Sequence, residues 1–457
     1  MTATSFPPGP YKTVQVSESG DTAPWYIIPF DKIGACTAPL TRNELIRSLK
    51  EQNYTDIFVF SHGWNNDWKT ATDRYENFVS GFLRMRAQYH LPARPHYKPL
   101  LIGIFWPSTA LVMPWEAAPT FAASESREEE LESRRREIEE LGAEITEGER
   151  QDFYGLTQKP LLDENDAKRL AEIIAAAIKK FDHADHEIAA KNDSPSANEL
   201  LARTRRAAAA SRSTTIGDFG FAIPTGDMPQ AAFDLTSLDP RNLVRIATVL
   251  QMKDRAGRVG AIGVGQLLRD VLSDSEGADV HLIGHSYGAI VVLSALCYSP
   301  DRHLPRAVQS VLLLQPAVSH WCFATNVNGE GFPSGYRVAL DRVRSPILAT
   351  FSRCDVPLTK FFHLAVRRDR DLGQAQIAGA NLPQAPSPYA ALGGFGPAGL
   401  SETELQVVDL ASPTKRLELR DPLPKVAALN GDAVIGGHGD ISVPATWWAL
   451  FQQIRVS

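Results

Sequence analysis

The sequence predicts an α/β fold with a mostly parallel central sheet, helices on both faces and a largely helical insertion. Apolar segments of strand length alternate with amphipathic segments of helix length along most of the 457 residues. Several of these strands are apolar throughout, as expected for strands that are buried on both faces. The alternation stops near residue 109 and resumes near residue 240. We therefore expect a core formed by residues 1–108 and 241–457, and an insertion formed by residues 109–240.

The first part of the chain carries the regular pattern. Thr41-Arg42-Asn43-Glu44 is typical of a capping box at the start of a helix. A later helix places Tyr75, Phe78, Phe82 and Met85 on one face. In chain order we expect strands at 14–16 and 25–30, a helix at 41–52, a strand at 56–60, a helix at 70–89 and a strand at 100–106.

The insertion has a different composition. Residues 124–150 are highly charged and contain pairs such as Glu130 with Arg134, whose spacing stabilises a helix. A second amphipathic helix is expected from about Asp166 to Ala190. These two helices can pack as an antiparallel pair, which is either a lid or an exposed structural hairpin.

The regular pattern returns in the last part of the chain. A helix at 243–272 contains Gly257, Gly260, Gly263 and Gly265, but these glycines do not follow a strand, so they do not indicate a dinucleotide cofactor. In chain order we then expect strands at 280–283, 310–314, 346–351 and 405–410, an extra hairpin around 417–429 and a closing helix from about Val443.

Gly284-His285-Ser286-Tyr287-Gly288 is the most informative motif, because it joins the strand at 280–283 to an apolar helix at 289–296. A serine attacks a carbonyl only if its side chain stands clear of the backbone, and a very tight strand-to-helix turn achieves this. The residues two before and two after the serine must be small, and both are glycine. The motif therefore predicts a nucleophilic Ser286.

Composition excludes several other kinds of protein. A formal net charge of −6 argues against binding of nucleic acid by general electrostatics. The four cysteines are widely scattered, which predicts neither a disulfide framework nor a zinc site and fits a reducing, cytoplasmic compartment. No secretory signal and no apolar stretch near 18 residues is evident. His183 and His186 read as part of a solvated helix face, so we expect no metal and no cofactor.

A serine nucleophile needs an imidazole to take its proton and a third group to orient that imidazole. Asp355 follows the strand at 346–351, where strand ends place catalytic carboxylates in open α/β sheets. His438 lies in the glycine-rich segment Gly436-Gly437-His438-Gly439, ahead of the closing helix. His320 and His363 are the alternative histidines.

The order Ser286, Asp355, His438 resembles that of the α/β-hydrolase superfamily, and the resemblance covers residues 41–108 and 241–457. Ser61-His62-Gly63-Trp64 also resembles the His-Gly oxyanion loop of that family. The resemblance implies that the backbone N–H groups of Trp64 and Tyr287 bind the oxyanion, with His62 and Gly63 supporting the loop.

These features together predict a serine hydrolase of the esterase or lipase type, acting on a small-molecule or lipid ester. The apolar segment from Ala110 to Ala123 suits a cover over an acyl chain. The same residues are equally compatible with an amidase, a thioesterase or a peptidase. A third hypothesis is a module without enzyme activity that binds a partner through the charged hairpin. Acyl length, leaving group, contact with a membrane surface and oligomeric state stay open.

Overall fold

The computed structural model describes residues 8–16, 22–64, 66–92, 94, 96–108, 135, 138–181, 195–212, 238–298, 303–327, 331–365, 385–410, 413 and 415–454. Within these ranges, nine strands form one sheet in the order β1-β2-β4-β3-β5-β6-β7-β9-β8. Every neighbouring pair is parallel except β1 with β2. The strands are β1 Lys12–Gln15, β2 Thr22–Pro29, β3 Asp56–Ser61, β4 Pro99–Phe105, β5 Asp279–His285, β6 Ser310–Leu314, β7 Ile347–Phe351, β8 Leu405–Asp409 and β9 Val426–Asn430. The predicted α/β class with a mostly parallel sheet is confirmed.

Helices cover both faces of the sheet. In chain order they are α1 Pro39–Glu51, α2 Trp68–Gln88, α3 Glu147–Thr157, α4 Glu164–Phe181, α5 Ala197–Arg212, α6 Pro240–Arg258, α7 Gly265–Asp274, α8 Gly288–Tyr298, α9 Phe362–Ala365, α10 Leu392–Phe395 and α11 Pro444–Gln453. Short π-helical segments lie at Val259–Val264 and Pro357–Phe361, and a 3₁₀ turn lies at Arg337–Asp341.

The buried side chains of one strand show how the layers form. In β3, Ile57 and Val59 join the apolar core shared with α1, α7 and α8. Phe58 and Phe60 point to the opposite face and join the core shared with α2 and α11. Successive side chains of a strand alternate between faces, so a strand that is apolar at every position is buried between two helical layers.

The end of the sheet differs from the sequence prediction. The segment predicted as a hairpin around 417–429 instead supplies β9, which runs parallel to both β7 and β8. Strand β9 inserts between them and leaves β8 at the edge. The local pattern of apolar residues identifies a strand but not its partner, because the pairing is set by distant residues. His438 therefore follows the strand that adjoins β7.

Helix starts also differ in detail. Helix α1 begins at Pro39, so Thr41 lies inside the helix and does not cap it. Proline has a fixed φ that suits the first helical position, where its missing N–H costs nothing. Helix α2 is capped by Asp67, whose side chain accepts a hydrogen bond of 2.7 Å from the Thr70 N–H. Its predicted buried face, with Tyr75, Phe78 and Met85, is confirmed.

The described part of the insertion is helical but more divided than predicted. The helix expected at 124–150 is interrupted near Thr146, which precedes α3 and donates to Glu149. Residues 124–134 and 182–190 of the two predicted helices lie outside the described residues. Buried residues of α3, α4 and α5 share one apolar core with Leu243, Ile246 and Leu250 of α6. The described helices α3, α4 and α5 therefore pack on α6.

Gly81 determines how closely α2 approaches α11. A Cβ atom at Gly81 would overlap the indole of Trp447. We expect Gly81→Ala to lower the free energy of unfolding by about 1–3 kcal/mol, because the added methyl group forces the two helices apart. Urea unfolding followed by circular dichroism measures the change.

Gly155→Ala in α3 is the matched control, since no atom lies within 4 Å of the added Cβ. This exposed helical position should instead become more stable by about 0.5–1 kcal/mol. Equal stability of Gly81→Ala and the wild type would contradict the packing described for α2 and α11.

Candidate active site

Ser286 lies in the tight turn between β5 and α8. Its φ angle is +54°, a left-handed conformation that non-glycine residues seldom adopt and that costs about 1–3 kcal/mol. The turn is held from both sides, because the Ser286 N–H donates to the Leu314 carbonyl at 3.1 Å and the Ser286 carbonyl accepts from the Ala317 N–H at 3.2 Å. The surrounding backbone thus maintains the strained conformation of the serine.

The two glycines of the motif allow close approach of backbone segments. A Cβ atom at Gly288 would overlap the carbonyl oxygen of Ser61 at the end of β3. A Cβ atom at Gly284 would lie 2.7 Å from the carbonyl oxygen of Gly288. Neither position accommodates a side chain, which is the physical requirement that the motif suggests.

Ser286, His438 and Asp355 form one hydrogen-bonded line at the carboxyl edge of the sheet. The distance from His438 Nε2 to Ser286 Oγ is 2.9 Å, and the distance from His438 Nδ1 to Asp355 Oδ2 is 2.8 Å. A carboxylate accepts, so the Nδ1–H donates to Asp355 and Nε2 is left to accept the Ser286 hydroxyl proton. The relative exposures are 5%, 7% and 0% for Ser286, His438 and Asp355.

Asp355 is fixed by the backbone that follows β7. Its second carboxylate oxygen, Oδ1, accepts a hydrogen bond of 3.1 Å from the Leu358 N–H. Its own N–H donates to the Ser352 carbonyl at 3.2 Å. One carboxylate oxygen is thereby oriented by the main chain while the other faces the His438 ring. This arrangement can keep the imidazole in the tautomer that activates a serine.

Two buried donors hold the loop that carries His438. The ring nitrogen Nε2 of His285 donates to the His438 carbonyl at 2.9 Å. The side-chain amide of Gln315 donates to the same carbonyl at 3.4 Å and to the Gly437 carbonyl at 3.2 Å. Burial, and secondly the nearby His438 ring, lower the pKa of His285 well below its ordinary value. His285 is therefore neutral and adds no positive charge beside His438.

The sequence analysis predicts no role for Gln315, which directly follows β6. Its side chain is oriented by Thr350, whose hydroxyl accepts from the Gln315 N–H at 2.8 Å and donates to Gln315 Oε1 at 3.3 Å. A glutamine after a strand has no distinctive sequence signal. Its role becomes visible only when the distant loop is placed over it.

His438 is the histidine that the structure brings to Ser286. His320 is buried, hydrogen-bonds the backbone of Pro388, and has a pKa lowered to about 4 by burial. His363 lies in the short helix α9. Among the described residues, neither of these alternatives hydrogen-bonds Ser286.

The loop with His62 and Gly63 lies directly against the nucleophile. A Cβ atom at Gly63 would be 2.6 Å from Ser286 Cβ. The His62 ring stacks on Trp106 with a centroid distance of 5.5 Å, and its Nδ1–H donates to the Gly63 carbonyl at 2.8 Å. The indole N–H of Trp106 donates to the His62 carbonyl at 3.0 Å. The predicted oxyanion residues Trp64 and Tyr287 are neighbours, with ring centroids 6.0 Å apart.

A second hydrogen-bonded line of serine, histidine and aspartate lies at the opposite end of the strands, where β3, β5 and β6 begin. His281 Nδ1 is 2.7 Å from Ser310 Oγ, and its Nε2 is 3.3 Å from Asp56 Oδ1. All three residues are at most 1% exposed, and Phe58 stacks on the His281 ring at 4.8 Å. Because these side chains are buried, no substrate can reach Ser310 Oγ, and the line joins only the starts of β3, β5 and β6.

The described residues form neither a candidate metal site nor a membrane-spanning helix. The described residues contain no group of three or more histidine, cysteine, aspartate or glutamate side chains that could hold a metal ion. His183 and His186 lie outside the described residues. No helix within the described ranges is long and apolar enough to cross a membrane.

Reactivity of Ser286 should depend on the donors that hold the His438 loop. We expect Gln315→Ala to slow phosphonylation of Ser286 by a fluorophosphonate roughly tenfold, because a loosened imidazole is less often within reach of the hydroxyl. Gln309→Ala is the matched control, since this buried glutamine pairs with Ser345 away from the site. An unchanged rate in Gln315→Ala would contradict this role, and mass spectrometry of the labelled chain gives the rates.

Buried neutral histidines should make stability depend on pH. Burial lowers the pKa of His320 from 6.5 to about 4, so between these values the unfolded chain binds a proton that the folded chain does not. Stability is therefore complete above about pH 6.5 and decreases as the pH falls towards 4, by up to about 1.4 kcal/mol per pH unit for each such histidine.

Replacement of His320 by glutamine should reduce that slope by this amount in urea unfolding series at pH 7, 6 and 5. The exposed His303→Gln variant is the matched control. An identical slope in His320→Gln and the wild type would contradict the burial of a neutral ring at position 320.

In comparisons with known proteins, no protein-family model, no curated protein and no solved structure matches this chain. The function must therefore be inferred from the geometry of the site.

Proposed function

We propose that this chain is a serine hydrolase that cleaves carboxylic esters through an acyl-enzyme intermediate. The observation that carries the proposal is the hydrogen-bonded line from Ser286 Oγ to His438 at 2.9 Å and from His438 to Asp355 at 2.8 Å. The serine of this line also has the strained backbone that lifts a nucleophile out of a strand-to-helix turn.

In the proposed mechanism, His438 Nε2 takes the hydroxyl proton as Ser286 Oγ forms a bond to the ester carbonyl carbon. The tetrahedral intermediate collapses, the bond from carbon to the alcohol oxygen breaks, and His438 returns the proton to that leaving oxygen. Water then attacks the acyl-enzyme with His438 again as base, which releases the carboxylic acid and restores Ser286. Asp355 orients the ring and stabilises the imidazolium that forms twice in each cycle.

The negative oxygen of the tetrahedral intermediate is proposed to lie between the backbone N–H groups of Trp64 and Tyr287. Contact of the Gly63 backbone with Ser286 supports this assignment. Tyr287 directly follows the nucleophile at the start of α8, where main-chain donors and the helix dipole favour negative charge. Each such donor typically contributes about 3–4 kcal/mol to lowering the barrier.

The order of the strands supports membership of the α/β-hydrolase superfamily as part of the proposal. The nucleophile follows β5, the acid follows β7 and the histidine follows β9, so all three arise from the carboxyl edge of one parallel sheet. Open α/β sheets bind ligands at that edge. Two features depart from the pattern that the resemblance implies. Strand β9 separates β8 from β7, and the proposed insertion comes early in the chain, after β4.

Esters are proposed ahead of amides because an alkoxide leaves more readily than an amine from the tetrahedral intermediate. The apolar segment from Ala110 to Ala123, which motivated the prediction of an acyl cover, lies outside the described residues. The four free cysteines, Cys36, Cys297, Cys322 and Cys354, support the proposal of a reducing, cytoplasmic setting.

The proposal is tested with the purified full chain, a fluorophosphonate probe and a panel of nitrophenyl esters of increasing acyl length. We expect the wild type to be labelled and to hydrolyse at least one ester. Ser286→Ala should take no label and lose turnover by roughly 10⁴-fold or more, because no other group replaces the nucleophile.

Ser310→Ala is the control that the structure provides, since Ser310 has the same kinds of partners but no access to solvent. This variant should retain labelling per folded molecule. A wild type without label or turnover would contradict the proposal and favour a partner-binding module. Faster turnover of thioesters, anilides or peptides than of esters would favour the other hydrolase classes.

A further inference from the structure

Asn66 lies two residues beyond Trp64 and is 1% exposed. Its side-chain amide donates two hydrogen bonds, one of 3.0 Å to the Gly63 carbonyl and one of 2.9 Å to the Trp64 carbonyl. We propose that Asn66 is a positioning residue that directs the Trp64 N–H towards the oxyanion. This inference rests on the function proposed above and extends it to a residue outside the line of Ser286, His438 and Asp355.

The geometry of the peptide bond provides the first step. Among the described residues the only cis peptide precedes Pro422, so the bond from Gly63 to Trp64 is trans. In a trans peptide the carbonyl of one residue and the N–H of the next point in opposite directions. Two donors, His62 Nδ1 and Asn66 Nδ2, hold the Gly63 carbonyl. The Trp64 N–H must then point away from both donors.

The direction of the Trp64 N–H can be inferred from what lies on each side of the loop, which is Ser286 on one side and Trp106 on the other. The Gly63 backbone contacts Ser286, because a Cβ atom at Gly63 would be 2.6 Å from Ser286 Cβ. His62 lies on the side of the loop that faces Trp106, where the two rings stack. With the Gly63 carbonyl turned towards His62 and Asn66, we infer that the Trp64 N–H is turned towards the nucleophile.

Asn66 can act in this way because it is itself held by a second strand end. The Asn66 N–H donates to Ser108 Oγ at 3.1 Å, and the Ser108 hydroxyl is 3.1 Å from the Asn66 carbonyl. Ser108 is fully buried and follows β4, the sheet neighbour of β3. The loop after β3 is thus fixed by contacts to the end of β4 as well as by its own residues.

The chemistry of the contacts requires an amide. Both hydrogen bonds of Nδ2 are donated to carbonyl oxygens, whereas Oδ1 is buried without a hydrogen-bond partner among the described residues. An aspartate of the same shape would place a negatively charged oxygen against two carbonyl oxygens. Asn66→Asp should therefore turn the peptide, and Asn66→Ala should release it.

The experiment compares Asn66→Ala and Asn66→Asp with Asn242→Ala. Asn242 is a buried asparagine of α6 whose side-chain oxygen also has no hydrogen-bond partner in the described part of the chain. Active sites are first counted by titration with a fluorophosphonate, so that misfolded molecules do not enter kcat. With nitrophenyl butyrate, both Asn66 variants should lose roughly 10- to 100-fold in kcat per titrated site, with KM changed less than about threefold. Asn242→Ala should keep the wild-type kcat per site.

Two further readouts distinguish positioning from a structural role. An alkyl boronate, whose adduct carries the oxyanion, should bind the Asn66 variants more weakly by about the same factor as the loss in kcat. The midpoint of the pH profile of kcat should not move, because Asn66 hydrogen-bonds the loop after β3 and not His438. Wild-type kcat per titrated site in Asn66→Ala would overturn the inference, even if fewer molecules fold.

A crystal structure of Asn66→Ala separates this inference from the proposed function. A rotated or disordered peptide between Gly63 and Trp64 supports the inference, and an unchanged peptide overturns it, whatever the enzyme activity. If the wild type neither hydrolyses esters nor takes label, the proposed function fails, and the orientation of this peptide alone then decides the role of Asn66.

Discussion

The close approach of the nucleophile turn to the end of β3 is the constraint on which the site depends. Gly288 lies so near the Ser61 carbonyl that no side chain fits between them. Strands β3 and β5 are direct neighbours in the sheet, and their parallel pairing brings both carboxyl ends to the same edge. The loop after β3 therefore lies beside Ser286, and the proposed oxyanion donors come from two segments that the sheet itself has aligned.

The two lines of serine, histidine and aspartate show that hydrogen bonding alone does not make a serine a candidate nucleophile. Both have hydrogen-bond distances between 2.7 and 3.3 Å, and each joins residues that lie in or after different strands. Only Ser286 adopts a positive φ angle and has backbone donors of a helix start beside it. Ser310 belongs to a regular strand, is 1% exposed and hydrogen-bonds the His281 ring, on which Phe58 stacks. Ser286 and Ser310 therefore differ in backbone conformation and in access for a substrate, and the types of the residues they bond do not reveal this difference.

Much of the fold was predictable from local sequence. The β5 strand, the two glycines around Ser286 and the glycine-rich segment around His438 can each be predicted from a pattern within about ten residues. Strand β9 was misread as part of a hairpin, because the choice between a local and a distant partner depends on which strands are adjacent in space. The helix expected at 124–150 is divided near Thr146, and Leu141 and Phe153, on either side of the break, belong to the same apolar core as residues of α6.

The supporting residues of the site were less predictable than its central ones. Gln315 and Asn66 act on carbonyl groups of the backbone, and any side chain with an N–H donor is chemically able to do so. Nothing in the sequence around them marks these contacts. Asn66 donates to carbonyls two and three residues upstream in an irregular loop, and Gln315 donates to Gly437, 122 residues away. Such residues become recognisable only when each carbonyl near the site is followed to its donor.

The apolar core shared by α6 and helices α3, α4 and α5 makes these two parts of the chain depend on each other. Leu243, Ile246 and Leu250 of α6 are covered by α3, α4 and α5. Removal of residues 109–240 would expose these apolar side chains of α6 to water. Transfer of the segment to another protein would require a matching apolar surface there. A substitution that changes the shape of one side of this contact should therefore require a compensating change on the other side.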